Sequence, residues 1–161
     1  SWQDILKESG AWNTLFWFSV LVMMASALNT LGFIPWLSQT IGNSLHGMNW
    51  FVVLVILVLA YFYSHYFFAS STAHVSAMYA AFLAVALAAH VPPMLAALML
   101  GFFGNLMAAT THYSSGPAPI LFGSGYVKQS DWWRLNFILG LIYIVIWVGV
   151  GSLWMKLLGM W

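Results

Sequence analysis

Charge is what this sequence lacks most. Of its 161 residues only 4% are charged, whereas a soluble domain carries roughly a quarter. From Ser9 to Val127 there is no Asp, Glu, Lys or Arg. No soluble globular surface can be covered with such a composition, so the chain belongs in a membrane. Cysteine is absent altogether, which excludes disulfides and thiolate metal sites. The net charge of +1 gives no reason to expect a nucleic-acid partner. No cleavable leader is visible, because the first residues are polar and of mixed charge and a full-length apolar run follows. The chain opens on Ser1 without an initiator Met, which is the expectation for a piece of a longer protein.

What is present is a series of apolar runs with two polar interruptions. Trp12 to Leu31 is long enough to span, since a bilayer core needs about 20 apolar residues. Trp12 and Trp17 suit its interface, and Asn13 or Thr14 suits its cap. Gly32 and Pro35 break the pattern, and residues 33–46 read as an amphipathic arm lying in the interface. An apolar run, Phe51 to Phe68, leads into Ser70-Ser71-Thr72-Ala73-His74, and Val75 to Ala89 leads out. His90-Val91-Pro92-Pro93 ends that run, because proline removes amide donors and restricts the residue before it. Met94 to Thr111 is apolar again, with Gly101, Gly104, Ala108 and Ala109 allowing close helix approach. His112 to Pro119, with two prolines, a glycine and two serines, cannot be regular helix. Lys128 to Arg134 is a charged loop, and residues 135–157 form the last span.

Broken backbone at membrane depth is tolerated only where it is buried in protein or lines a cavity. Paired discontinuous segments are the sequence sign of a transporter binding site. Helix N-termini offer amides to an anion, while carbonyls and hydroxyls offer oxygen to a small cation. The bland alternative for Ser70, Ser71 and Thr72 is interhelical hydrogen bonding, worth about 0.6 kcal/mol each in membrane helices. For Ser114 to Pro117 it is a proline kink. Clustering at breaks favours binding in both cases. His65, His74 and His112 fit no standard metal spacing; a buried histidine bonded to a neighbour is the simpler reading. Trp and Tyr at helix ends read as interfacial belt residues.

Several motifs resemble the divalent anion:sodium symporter family of di- and tricarboxylate carriers. These are Ser70-Ser71-Thr72, Ser114-Ser115-Gly116-Pro117, the intact run Phe122-Gly123-Ser124-Gly125-Tyr126, and Trp132-Trp133-Arg134-Leu135. His65 to Ser70 together with Ser115 to Pro119 is most similar to the branch of tartrate, citrate and succinate exchangers and 2-oxoglutarate/malate translocators. The resemblance covers nearly the whole chain and matches the family's C-terminal inverted repeat. It implies an all-α polytopic membrane protein. Residues 12–31 would form a transmembrane helix, 33–46 an arm and 50–89 a re-entrant hairpin with its tip at 70–74. Residues 94–127 would form a broken transmembrane helix unwound at 112–119, and 135–157 a final transmembrane helix.

The same resemblance implies secondary transport of malate, succinate, 2-oxoglutarate, tartrate or citrate by alternating access, with no enzymatic step and no cofactor. Ser70, Ser71, Thr72, Ser115, Gly116 and Pro117 would bind the carboxylate. Anion exchange is the expected mode, because Ser71 stands where the family motif has Asn and Ser115-Gly116 replaces Thr-Pro. Sodium-coupled symport, with the ion at Ser70, Ser71 and Ser114, is the alternative, and a membrane enzyme with a His-bound metal is the alternative of another class. The implied partners are lipid, the N-terminal repeat of the same protein and a second copy in a homodimer. The implied location is the bacterial inner membrane, with Lys7, Lys128 and Arg134 inside and Lys156 outside, which agrees with the positive-inside rule.

Overall fold

The computed structural model describes residues 2–7, 12, 15–16, 19–20, 23, 27–28, 30–45 and 47–161. The expected span from Trp12 to Leu31 falls largely outside them, together with Asn13, Thr14 and Trp17. The described elements are helices: α1 (Trp2–Lys7), α2 (Phe33–Ser44), α3 (Trp50–Ser64), α4 (Ser71–Ala88), α5 (Pro93–Leu106), α6 (Ala118–Gly123), α7 (Gln129–Ile144) and α8 (Ser152–Leu157). A π-helical stretch, Val145–Gly151, joins α7 to α8 into one continuous rod.

Each boundary has a local cause. Gly32 adopts φ +83°, so the chain turns there, and Pro35 falls in the first turn of α2, where its missing N–H is not needed. Asn49 caps α3 by accepting from Phe51 N at 2.9 Å. At the end of α4, Val91 N donates to Ala86 O and His90 N to Leu87 O, with His90 at φ 59°. This is a Schellman-type stop, and Pro92 prevents continuation.

The core lies where α3, α4 and α5 meet. Val53, Leu54, Leu57, Val58, Tyr61 and Phe62 recur on one face of α3, and all are buried. Opposite them stand Met78, Phe82 and Val85 of α4 and Leu95, Met99 and Phe103 of α5. In lipid, close packing holds helices together, because apolar burial drives little association there. Two glycines mark where this matters. A Cβ on Gly140 of α7 would stand 2.5 Å from the Phe62 ring, and one on Gly104 of α5 would stand 3.0 Å from Val75. α2 packs along α4.

Three described helical stretches are long and apolar enough to cross a membrane: Trp50–Phe67, Ser71–Ala88 and Gln129–Leu157. At 1.5 Å per residue an 18-residue stretch is about 27 Å long, close to the thickness of a hydrocarbon core. The outer face of the last rod is apolar and exposed at Leu135, Ile142, Val145, Leu153 and Leu157, as a lipid-facing surface is.

Candidate binding site at two helix breaks

The first break begins where α3 ends. His65–Phe67 makes a single 3-10 turn, and Phe68 then runs extended at φ −117°, ψ 132°. Ser70 is extended too, at φ −155°, ψ 131°. Its carbonyl accepts from His74 N at 3.0 Å, and its Oγ accepts from Ala73 N at 3.5 Å. Ser70 is therefore the N-cap of α4. The interruption occupies residues 65–70, and Ser71, Thr72, Ala73 and His74 form the first helical turn rather than the irregular tip. The reason is the cap: once Ser70 satisfies the Ala73 amide, nothing prevents the following residues from being helical.

Among the described residues the amides of Ser71 and Thr72 have no partner, and neither does the exposed Thr72 hydroxyl. The first amides of an 18-residue helix carry its positive end. No side chain of opposite sign exists on α2 to α6 to neutralise it.

The second break is longer. α5 gives way at Leu106 to a 3-10 turn, Met107–Ala109, and regular helix returns only at Ala118. Thr110, Thr111 and Ser114 are buried, Ser115 is half-buried, and Gly116 and Pro117 are exposed. The Ser114 hydroxyl lies 2.6 Å from Ala108 O and 2.8 Å from Thr111 O, which folds the segment back on itself. The helix that follows, α6, has only six residues and a weak dipole to match.

The fold brings the breaks together. α3 and α4 run antiparallel: stepping back from Ser64 to Tyr61 on α3 moves the contact forward from His74 toward Phe82 on α4. This places the 65–71 turn beside Ser114. The Ser71 hydroxyl donates to Ser114 O at 2.9 Å, and His65 Nε2 donates to the same oxygen at 3.1 Å. Tyr113 donates its hydroxyl proton to Tyr66 O at 2.8 Å. Thus Ser71 and His65 meet Ser114, with Ser70 and Thr72 flanking Ser71 in the chain, while among the described residues no hydrogen bond joins Ser115, Gly116 or Pro117 to the first break.

Aromatic residues surround the junction. Trp133 Nε1 donates to His112 Nδ1 at 3.1 Å, and Trp132 Nε1 donates to Ala109 O at 3.2 Å. Tyr66 and Tyr113 both lie against the Trp133 ring. A belt reading misses this role for Trp132, Trp133, Tyr66 and Tyr113. The available signal was their donors, which seek acceptors wherever water is scarce. The histidines are likewise bonded to neighbours: His65 to Ser114, His112 to Trp133, and His74 Nε2 to Ser64 Oγ at 2.8 Å. Among the described residues no three His, Cys, Asp or Glu side chains gather as a metal site.

The sequence that forms these paired helix breaks has relatives among known proteins. The family model for the sodium:sulfate symporter transmembrane region matches residues 1–161. The chain belongs to that family. A putative malate transporter of Bacillus subtilis, YflS, is 55% identical over 161 residues, which cover 100% of this chain and 34% of the relative. The chloroplast dicarboxylate transporter 1 of Spinacia oleracea is 47% identical over 163 residues, covering 100% of this chain and 29% of its own length. The L-tartrate/succinate antiporter of Escherichia coli is 42% identical over 156 residues, covering 96% and 32%. The chain therefore spans about a third of the length of the relatives it matches. Its apolar helices and its family make it part of a multi-pass, all-α membrane protein.

Proposed function

We propose that the complete protein carries dicarboxylates across a membrane by alternating access, and that the junction of the two breaks holds one carboxylate of the substrate. The observation that carries this reading is the cluster of uncommitted donors at the start of α4, beside the bonded Ser114 loop. The amides of Ser71 and Thr72 and the hydroxyls of Ser70 and Thr72 can all donate to a carboxylate. Hydrogen bonds to a charged group are worth about 1.5–3 kcal/mol each. A few of them hold an anion without trapping it, as a carrier requires. Ser115, Gly116 and Pro117 form the opposite lip. The N-terminal repeat of the same protein supplies donors for the second carboxylate, and rocking of one repeat against the other exposes the substrate to each side in turn.

Di- or tricarboxylates such as malate, succinate, 2-oxoglutarate, tartrate and citrate are the substrate class. The names of the relatives support it: malate, dicarboxylate and tartrate/succinate transporters. Exchange is favoured over symport by the antiporter among those relatives and by Ser71, whose short side chain lacks an amide. The proposed setting is the bacterial inner membrane, with the protein a homodimer. The test is uptake of labelled malate into proteoliposomes holding the complete protein. Uptake that requires internal dicarboxylate and ignores a sodium gradient is expected. Uptake that needs sodium and no internal anion would overturn exchange and favour a sodium ion bound by Ser70, Ser71 and Ser114 oxygens.

A further inference from the structure

The oxygen shared between the breaks has a consequence for which groups bind substrate. A carbonyl only accepts hydrogen bonds. The His65 ring must therefore present Nε2–H to Ser114 O at 3.1 Å, which leaves Nδ1 as the unprotonated nitrogen of the neutral ring. That Nδ1 is buried without a partner, so the ring serves this junction through one atom alone. The Ser71 hydroxyl has a single proton, and it points at the same carbonyl from 2.9 Å. Two lone pairs of Ser114 O are thus matched by two donors from opposite ends of one turn. Both His65 and Ser114 are fully buried, so water does not compete for these bonds. Their loss would leave a buried carbonyl unsatisfied.

We propose that His65 and Ser71 are a positioning pair that fastens the hairpin turn to the broken segment through the Ser114 carbonyl. The Ser71 hydroxyl is then a fastener and not a carboxylate ligand, and the anion is met by Ser70, Thr72 and the free amides of Ser71 and Thr72. This rests on the carboxylate-site reading above and deepens it. The pair sets the distance between the two lips of the site, so its loss impairs every substrate by the same factor.

The test uses dicarboxylate exchange by the complete protein in liposomes, with monodispersity in detergent as the check on folding. His65→Gln places an amide N–H near the position of Nε2, whereas the amide of His65→Asn stops about one bond short. His65→Gln is expected to exchange several-fold faster than His65→Asn and His65→Ala. These two should fall roughly tenfold below wild type, the scale of one lost buried hydrogen bond, with Ser71 the one donor left on the Ser114 carbonyl. Ser71→Thr, which keeps a hydroxyl, should likewise outperform Ser71→Ala, and Ser71→Ala should slow malate, succinate and tartrate equally. A tie between Gln and Asn at position 65 overturns the proposal. So does a Ser71→Ala defect confined to one substrate. If the position 65 variants do not fold, the Thr and Ala variants at position 71 decide by the same criterion. Thr72→Ala separates the two levels: if it exchanges like wild type, the carboxylate site is misplaced. If it collapses while Gln and Asn tie at position 65, only the fastening fails.

Discussion

The two breaks solve the same problem, interrupted helix inside an apolar environment, in opposite ways. The first lasts from His65 to Ser70 and ends abruptly, because one serine caps a long helix. Its leftover donors, the amides of Ser71 and Thr72 and the exposed Thr72 hydroxyl, have no partner among the described residues. The second runs from Met107 to Pro117 and ends in six residues of helix. The hydroxyls of Thr110 and Ser114 turn inward and bond to the segment's own carbonyls, while the buried Thr111 hydroxyl has no partner among the described residues. Under the proposed function the difference separates binding from support: the hairpin turn would offer donors to a ligand, and the broken segment would offer an anchored wall to the hairpin.

That division can be broken by substitution. Removing both free hydroxyls with Ser70→Ala and Thr72→Ala together should have the largest effect. Two charge-assisted bonds at about 1.5–3 kcal/mol each correspond to a loss of transport of roughly a hundredfold or more. Membrane insertion should be unaltered, as surface labelling of the complete protein would show. Transport at the wild-type rate would return both residues to ordinary helix packing. A smaller effect is expected on stability. Ser70→Ala removes a helix cap and should cost about 1 kcal/mol, measurable as a lower midpoint of thermal unfolding in detergent. Tyr113→Phe removes the bond to Tyr66 O and should cost about 0.6 kcal/mol, the average for hydrogen bonds in membrane proteins. The smallest effect belongs to Ser115→Ala. Its side chain makes no hydrogen bond among the described residues, so its unfolding midpoint should match wild type. If Ser115→Ala is as destabilising as Ser70→Ala, the two breaks are not divided as described.

Much of this was legible from residue order alone. Polar runs in an uncharged apolar sequence mark the breaks, because such groups must find partners or ligands. The hydroxyls of Ser70 and Thr72 stand out for that reason. The limits of the breaks were less legible. An N-cap is a matter of one residue, and Ser70 could not be told from Ser71 without the backbone angles. The fastening was not legible at all: His65 and Ser71 meet Ser114 across 49 and 43 residues. Their acceptor is a backbone carbonyl, which every residue possesses. The same holds for Trp132 and Ala109. Side-chain type signals a donor, but its acceptor is chosen by tertiary packing. The space beside Gly140 was equally hidden, since its need comes from the Phe62 ring on another helix.

In the proposed site the lip at Gly116 and the α4 start at Thr72 enclose one carboxylate. Gly116 is exposed, and a side chain there would meet nothing within 4 Å, so Gly116→Cys is tolerated sterically and reports directly on access. The measurement is the rate at which a membrane-impermeant thiol reagent modifies Gly116→Cys in the complete, otherwise cysteine-free protein. Malate should slow that reaction, and it should lose this effect when Thr72→Ala is added. A labelling rate that saturating malate leaves unchanged, in a Gly116→Cys protein that still transports malate, would mean that Gly116 does not border the substrate.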